Sequence, residues 1–294
     1  MNKKLIGGFT KKEISDALFQ IGPLKAPGLD GFPARFFQQN WEIMKNEVVA
    51  AVQNFFENGI MPEGINDTSI VLIPKGKNPQ SLKDFRPISL CNVIYKVISK
   101  CLVNRLRPML DGLISETQSA FVPGRLITDN AIIVFECFHK IQQSKNPHNT
   151  HCAYKLDLAK AYDRVDWDFL EGALEKLGFH ARWINWIMRC VKSVRYSVKL
   201  NGEVLEHFLP SRGLRLGDPL SPYLFLFVAD GLATIFNREV QGGSISPVKV
   251  ARNSLEYQIC YLPTIAWYFL RPLVTKPGWL RGRLTCSKDA QANY

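Results

Sequence analysis

A short apolar strand that ends in a carboxylate constrains this chain more than any other feature. In Tyr154-Lys155-Leu156-Asp157-Leu158-Ala159-Lys160-Ala161-Tyr162-Asp163, two leucines flank Asp157. A carboxylate in a buried strand is costly unless it is paired or metal-bound. Two readings stay open. Asp157 is an ion ligand, with the Leu158 carbonyl as a second hard oxygen of the kind Mg²⁺ takes, or it is a solvated strand-end residue that caps the next turn. Chemistry by two metal ions needs several carboxylates converging on ions about 3.5–4 Å apart. No two adjacent Asp residues occur anywhere in the 294-residue sequence.

Charge narrows the partner. The net charge of +11 is distributed, +5 over residues 1–150 and +6 over 151–294, so it is not a detachable tail. A folded body of this kind suits a polyanion, because counterions released from phosphates drive binding. With 46% hydrophobic and 11% aromatic residues the chain can bury a sizeable core. The 7 cysteines are odd in number and form no CxxC pair, which reads as reduced core thiols in an intracellular protein, nuclear or cytoplasmic. No signal-peptide core follows Met1-Asn2-Lys3-Lys4-Leu5, and no apolar run is long enough to span a membrane.

Periodicity predicts mixed α and β structure. Thr10-Lys11-Lys12-Glu13 is a capping box ahead of Ile14, Leu18 and Ile21, and Gly22 should close that helix. A loop over 25–31 precedes a helical pattern over 34–57. Ser69 to Pro74 reads as a buried strand stopped by proline. A helix from Asn92 to Arg107 points Ile94, Val97, Ile98, Cys101, Leu102 and Leu106 inward and sets Lys96 and Lys100 on its outer face. Further helices are expected over 128–143, 167–177, 181–191 and 219–238, with 144–151 a polar loop. Alternation from Val194 to Leu200, then Asn201-Gly202, predicts a hairpin.

Six ordered strings then resemble the reverse transcriptase of non-LTR (LINE-type) retrotransposons, of the kind common in plants. They are Lys25-Ala26-Pro27-Gly28-Leu29-Asp30-Gly31, Ile73-Pro74-Lys75, Asp84 to Leu90, Gln118 to Arg125, Leu156 to Asp163 and Gly213 to Pro222. The resemblance implies an α+β fold, with right-hand polymerase fingers over 1–150, a partial palm over 151–253, an atypical tail over 254–294 and no thumb. It implies RNA-directed DNA synthesis on an RNA template and DNA primer, using deoxynucleoside triphosphates and Mg²⁺. Asp157 would be the first metal-binding aspartate and Tyr162 the bulky gate under the incoming sugar. Lys75 and Arg86 would meet the triphosphate, where fixed cations offset developing charge. Gly213 and Gly217 would let backbone approach the template–nucleotide pair. Lys96, Lys100, Arg105, Arg107 and Arg125 would face RNA phosphate. Asp163, Asp166 and Asp168 fit helix N-terminal charge compensation better than a metal cluster. His148, His151 and Cys152 lack a fourth zinc ligand at suitable spacing.

The chain also departs from the pattern. Leu216 stands where the family has glutamine. The aromatic-x-Asp-Asp hairpin expected after Pro222 is missing; Phe227-Val228-Ala229-Asp230 mimics part of it but belongs to an apolar helix. The family pattern stops near Asn253, and the tail beyond shows no sustained periodicity, as expected of a frameshift or an altered splice. Polymerase activity is therefore expected to be lost, leaving an RNA-binding remnant or a product without biochemical role. A palm sheet lacking that hairpin would expose an edge prone to association, so low solubility is expected; a monodisperse, cooperatively melting monomer would count against it.

Overall fold

The computed structural model describes residues 1–143, 152–158 and 160–243 and, as strand backbone, 245–249, 256–257, 259–262 and 265–272. The chain forms two compact units, Met1–Met109 with Tyr162–Phe225, and Leu110–Ala161 with Leu226–Tyr294.

In the first unit, helices α1 (Asn2–Ile6), α2 (Lys11–Phe19), α3 (Ala34–Gln39) and α4 (Trp41–Asn58) precede strands β1 (Asp67–Pro74) and β2 (Phe85–Cys91) and helix α5 (Val93–Leu106). The Thr10–Glu13 capping box forms as expected. Gly22 does not close α2, which ends at Phe19 with Gln20 as its C-cap. The helical stretch expected over 34–57 is two helices, because Asn40 leaves the helical region and its side chain donates to the Phe36 carbonyl at 2.8 Å. The core joins Phe9, Phe56 and Trp186, with Phe9 and Phe56 stacked at 3.8 Å.

Helices α7 (Trp167–Lys176) and α8 (Ala181–Lys192) lead to strands β4 (Arg195–Leu200) and β5 (Glu203–Val204). The sheet order is β2-β1-β4-β5, with β1 antiparallel to β2 and parallel to β4. The predicted hairpin turns at Asn201 and Gly202, both at positive φ, as a right-twisted two-residue loop requires. Asp166 caps α7 by accepting the Phe169 N–H at 2.9 Å, and Gly178 at φ +77 follows its end. The helix-end reading of Asp166 is the one that the fold adopts.

The second unit contains helix α6 (Ile127–Gln143) and strands β3 (Cys152–Asp157), β6 (Ile245–Lys249), β7 (Glu256–Tyr257), β8 (Ile259–Leu262) and β9 (Ile265–Pro272). Buried Cys137 of α6 packs with Ile133, Val134, Phe138, Ile141 and Ala153 of β3. Helix α9 (Ser221–Gln241) follows Pro219 as expected and contains Phe227 to Asp230. The Asp230 carboxylate there accepts the Ser115 N–H at 3.1 Å, a helix-to-loop tie.

One expectation for the tail needs correction. Residues 256–272 supply strands despite their lack of clear periodicity, and β9 lies antiparallel to β3 from Cys152↔Leu270 to Asp157↔Ile265. Pairing with β9 covers one edge of β3, and β3 remains the end strand of its sheet among the described residues.

The loop over 25–31 is fastened to the start of α5. Asn92 accepts the Asp30 N–H at 3.3 Å and donates to the Gly64 carbonyl at 2.9 Å. A Cβ on Gly28 would lie 2.0 Å from the Asn92 side-chain oxygen and 2.4 Å from its backbone nitrogen. The backbone nitrogen cannot swing aside as a side chain would. Gly28→Ala should therefore cost about 1–3 kcal/mol by overpacking, read as a lower urea midpoint at unchanged slope.

Candidate functional site

The segment from Gly213 to Pro222 is pinned at two places by close backbone contact. Gly213 has φ +95, and a Cβ there would lie 2.9 Å from the Asp163 carbonyl oxygen. Its N–H donates to Val165 O and that of Leu214 to Tyr162 O, both at 2.8 Å, while Trp167 Nε1 donates to Gly213 O at 2.8 Å. The turn that carries Tyr162 is thereby splinted. The Tyr162 ring stacks on Phe225 at 4.9 Å and 15°, and burial raises its phenol pKa.

Gly217, at φ +109, is the second contact. A Cβ there would lie 3.0 Å from Ser89 O and 3.9 Å from the Ile88 side chain. Ser89 N–H donates to Leu216 O at 3.0 Å. At this position the backbone makes the tie to β2, and the Leu216 side chain, standing where glutamine was expected, is left 38% exposed.

Between the two glycines sits a buried charge network. The Arg215 and Asp218 side chains are each only 3% exposed and lie 3.6 Å apart. Arg215 donates to Asn66 Oδ1, to Thr68 Oγ1 at 3.2 Å and to the Cys190 carbonyl at 2.9 Å, and its guanidinium covers the Tyr95 ring at 3.9 Å. Tyr95 Oη donates to Asp218 Oδ2 at 2.9 Å, and burial pushes this phenol well above its ordinary pKa. Ser221 Oγ and the Leu220 N–H also donate to Asp218. Sequence reasoning missed Asn66, Tyr95, Arg215 and Asp218. The only signal was an Arg and an Asp three apart beside two glycines.

Lys75 and Arg86 both belong to the β1–β2 hairpin. Ile73 pairs with Arg86, and Lys75 lies two residues beyond Ile73, on the same face by strand alternation. Both cations are exposed. Lys75 Nζ donates to Lys83 O at 2.6 Å. Asp84 orders the hairpin tip by accepting the Gln80 and Ser81 N–H groups at 2.9 Å, and these bonds hold its carboxyl below the usual range. Ile88, the next residue on the Arg86 face, is the side chain that Gly217 approaches.

The other expected cations are disposed differently. Lys96 is buried rather than on the outer face of α5; it donates to Ala26 O at 2.9 Å, and burial lowers its pKa. Arg105 stacks on Phe9 at 3.4 Å and donates to Glu13 and to the carbonyls of Leu5, Gly7 and Gly8. Arg125, with its side chain 15% exposed, clamps its own loop through Asp111 and the carbonyls of Ile114, Ser115 and Gln118. Lys100 is half-buried with its pKa lowered by burial, and Arg107 is exposed.

Asp157 ends β3 opposite Ile265, and Leu158 follows the strand. The Asp157 and Cys152 side chains, with His148 and His151, fall outside the described residues. Among the described residues no group of three or more His, Cys, Asp or Glu could hold a metal ion. Ile259 to Leu270, the hairpin beside Asp157, contains no carboxylate. These donors do not fit a two-ion centre.

A profile of the reverse transcriptase (RNA-dependent DNA polymerase) family matches residues 73–253. The chain belongs to that family. It is 30% identical over 234 residues, 79% of its length, to the transposon TX1 uncharacterized 149 kDa protein of Xenopus laevis. It is 27% identical over 216 residues, 73% of its length, to the retrovirus-related Pol polyprotein from the type-2 retrotransposable element R2DM of Drosophila melanogaster. These matches cover only 18% and 20% of the two relatives. The expectation of a non-LTR retrotransposon reverse transcriptase is borne out, and among the described residues no helix is long and apolar enough to cross a membrane.

Breaking a buried ion pair by removing one partner leaves an uncompensated charge, at a cost of about 3–5 kcal/mol. Arg215→Met should lose stability on that scale in urea unfolding, and adding Asp218→Asn should recover part of the loss.

Proposed function

We propose that this reverse transcriptase chain binds an RNA template, a DNA primer and nucleotide phosphates through a fingers-like surface, and does not extend the primer. In this reading the first 150 residues supply fingers, 151–253 supply part of a palm, and Mg²⁺ has no complete site. The observation that carries it is the exposure of Lys75 and Arg86 on the β1–β2 hairpin, whose residues Ile88 and Ser89 Gly217 approaches, in a chain whose Asp157 lies opposite a strand pair without carboxylates. Exposed cations spaced along a hairpin meet successive phosphate oxygens, and a glycine-lined floor admits a flat base pair. Tyr162, stacked on Phe225, would narrow such a pocket. Removing a main metal ligand removes rate by many orders of magnitude.

Primer extension on an RNA template with Mg²⁺ tests the loss of activity. Neither this chain nor Asp157→Ala should extend; extension that the substitution abolishes would overturn the reading. Binding to single-stranded RNA should weaken linearly in log K against log salt, with a slope of roughly −0.7 per phosphate neutralised. Joint replacement of Lys75 and Arg86 by alanine should flatten that slope by about one to two phosphates' worth. A binding signal insensitive to salt, or none at all, would instead favour a product without a biochemical role.

A further inference from the structure

The family match stops at residue 253, yet the sheet does not. Strands β8 and β9 form an antiparallel hairpin with Leu262 opposite Ile265, and Ile265 is in turn opposite Asp157. The two residues between those strands in sequence are Pro263 and Thr264. The residue that begins β9 is thus in register with the end of β3, and the sequence between β8 and β9 encodes no acidic group.

The composition of this hairpin has an explanation in the genetic code. Tyr257, Cys260, Tyr261, Trp267, Tyr268 and Phe269 all have codons that begin with T. If the frame is moved back by one nucleotide, each such T becomes the middle base of a new codon. Codons with T in the middle encode only Phe, Leu, Ile, Met or Val. Much of the displaced reading is then independent of synonymous choice. The junction of Ile259 with Cys260 reads Leu or Met, and that of Cys260 with Tyr261 reads Leu. The junctions through Ala266, Trp267, Tyr268 and Phe269 read Leu, Met or Val, then Val, then Phe or Leu. Between these apolar runs, the junction of Pro263 with Thr264 and that of Thr264 with Ile265 are each restricted to Tyr, His, Asn or Asp. The displaced frame thus puts two adjacent polar residues between the β8 and β9 segments in sequence, with strand formers on both sides. With TAT, TTG, CCG and ACG for Tyr261 to Thr264, it reads Phe-Ala-Asp-Asp.

We propose that the chain from about residue 256 onward is an out-of-frame reading of a strand–turn–strand whose turn carries paired aspartates, displaced by loss of one nucleotide between codons 253 and 256. It rests on the functional reading above in one respect, that Asp157 is the carboxylate which the pair would join. The displacement accounts together for three observations: the end of the family match, the aromatic-rich tail, and a hairpin that keeps its register with β3 while lacking acids.

The nucleotide sequence through codons 253–272 decides it. Leu262, Pro263 and Thr264 should be encoded by TTG, CCG and ACG. Any base other than G at the third position of codon 263 or 264 overturns the inference, because no other base gives Asp in the displaced frame. A second arm restores one nucleotide ahead of codon 256 and assays Mg²⁺-dependent primer extension beside the unaltered chain. The expected codons followed by extension from the restored chain alone support both readings. The expected codons with an inactive restored chain leave the displaced frame standing and count against the polymerase site. Other codons at 263 and 264, with salt-sensitive RNA binding intact, sink the displaced frame and leave the binding surface standing.

Discussion

The buried Arg215–Asp218 pair is the constraint on which the Gly213 to Pro222 segment of the first unit depends. Its partners come from separated parts of the chain: Asn66 and Thr68 at the start of β1, Tyr95 in α5, and the Cys190 carbonyl in α8. A guanidinium taken out of water is tolerable only when its donors are filled. Here two side-chain oxygens, a carbonyl, a carboxylate and an aromatic face surround it. The outcome is geometric. With Arg215 fixed, Gly213 is held against Asp163 on one side and Gly217 against Ser89 on the other, so the loop between them has little freedom.

The same economy explains why several basic residues are unavailable to a polyanion. Lys96, Arg105 and Arg125 each spend their donors on backbone carbonyls of neighbouring loops. Binding through counterion release needs a cation whose charge is still turned to solvent, and a buried lysine with a lowered pKa is a poor candidate. Lys75 and Arg86 keep exposed positions on a hairpin ordered by Asp84. Positive charge in the composition therefore divides into scaffold and surface. Only the second class bears on binding.

This division was the least legible part of the sequence. Capping at Thr10 and Asp166, the Asn201-Gly202 hairpin and the helix after Pro219 were readable because each depends on local chemistry within a few residues. The inward turn of Lys96 was not, because it depends on a loop some seventy residues earlier that offers the Ala26 carbonyl. Helical periodicity places a lysine on a face but does not say whether another segment covers that face. The Arg215 network was hidden for the same reason, its partners being set by tertiary contact alone. Lys75 and Arg86 were singled out only through the resemblance of their motifs, and their places on one hairpin follow from a β1–β2 pairing that local sequence did not announce.

On the displaced-frame proposal, the tail would keep a fold-level pattern after losing the chemistry that it framed. Strand propensity is largely a property of T-rich codons. With T in the middle they encode Val, Leu, Ile and Phe, and with T first they include Tyr, Phe, Cys and Trp, several of which also suit a pleated surface. A slip of one nucleotide in such a stretch exchanges one set of strand formers for another, so β9 can still pair with β3 over six residues. Aspartate has no such protection. Its codons begin with G and have A in the middle, and the same slip spreads each of them across two unrelated residues, here Pro263 with Thr264 and Thr264 with Ile265. Backbone pairing tolerates any residue that fits the pleat, whereas a metal site tolerates none but its ligands. On the proposed displacement, one nucleotide would be enough to separate strand pairing from a metal site.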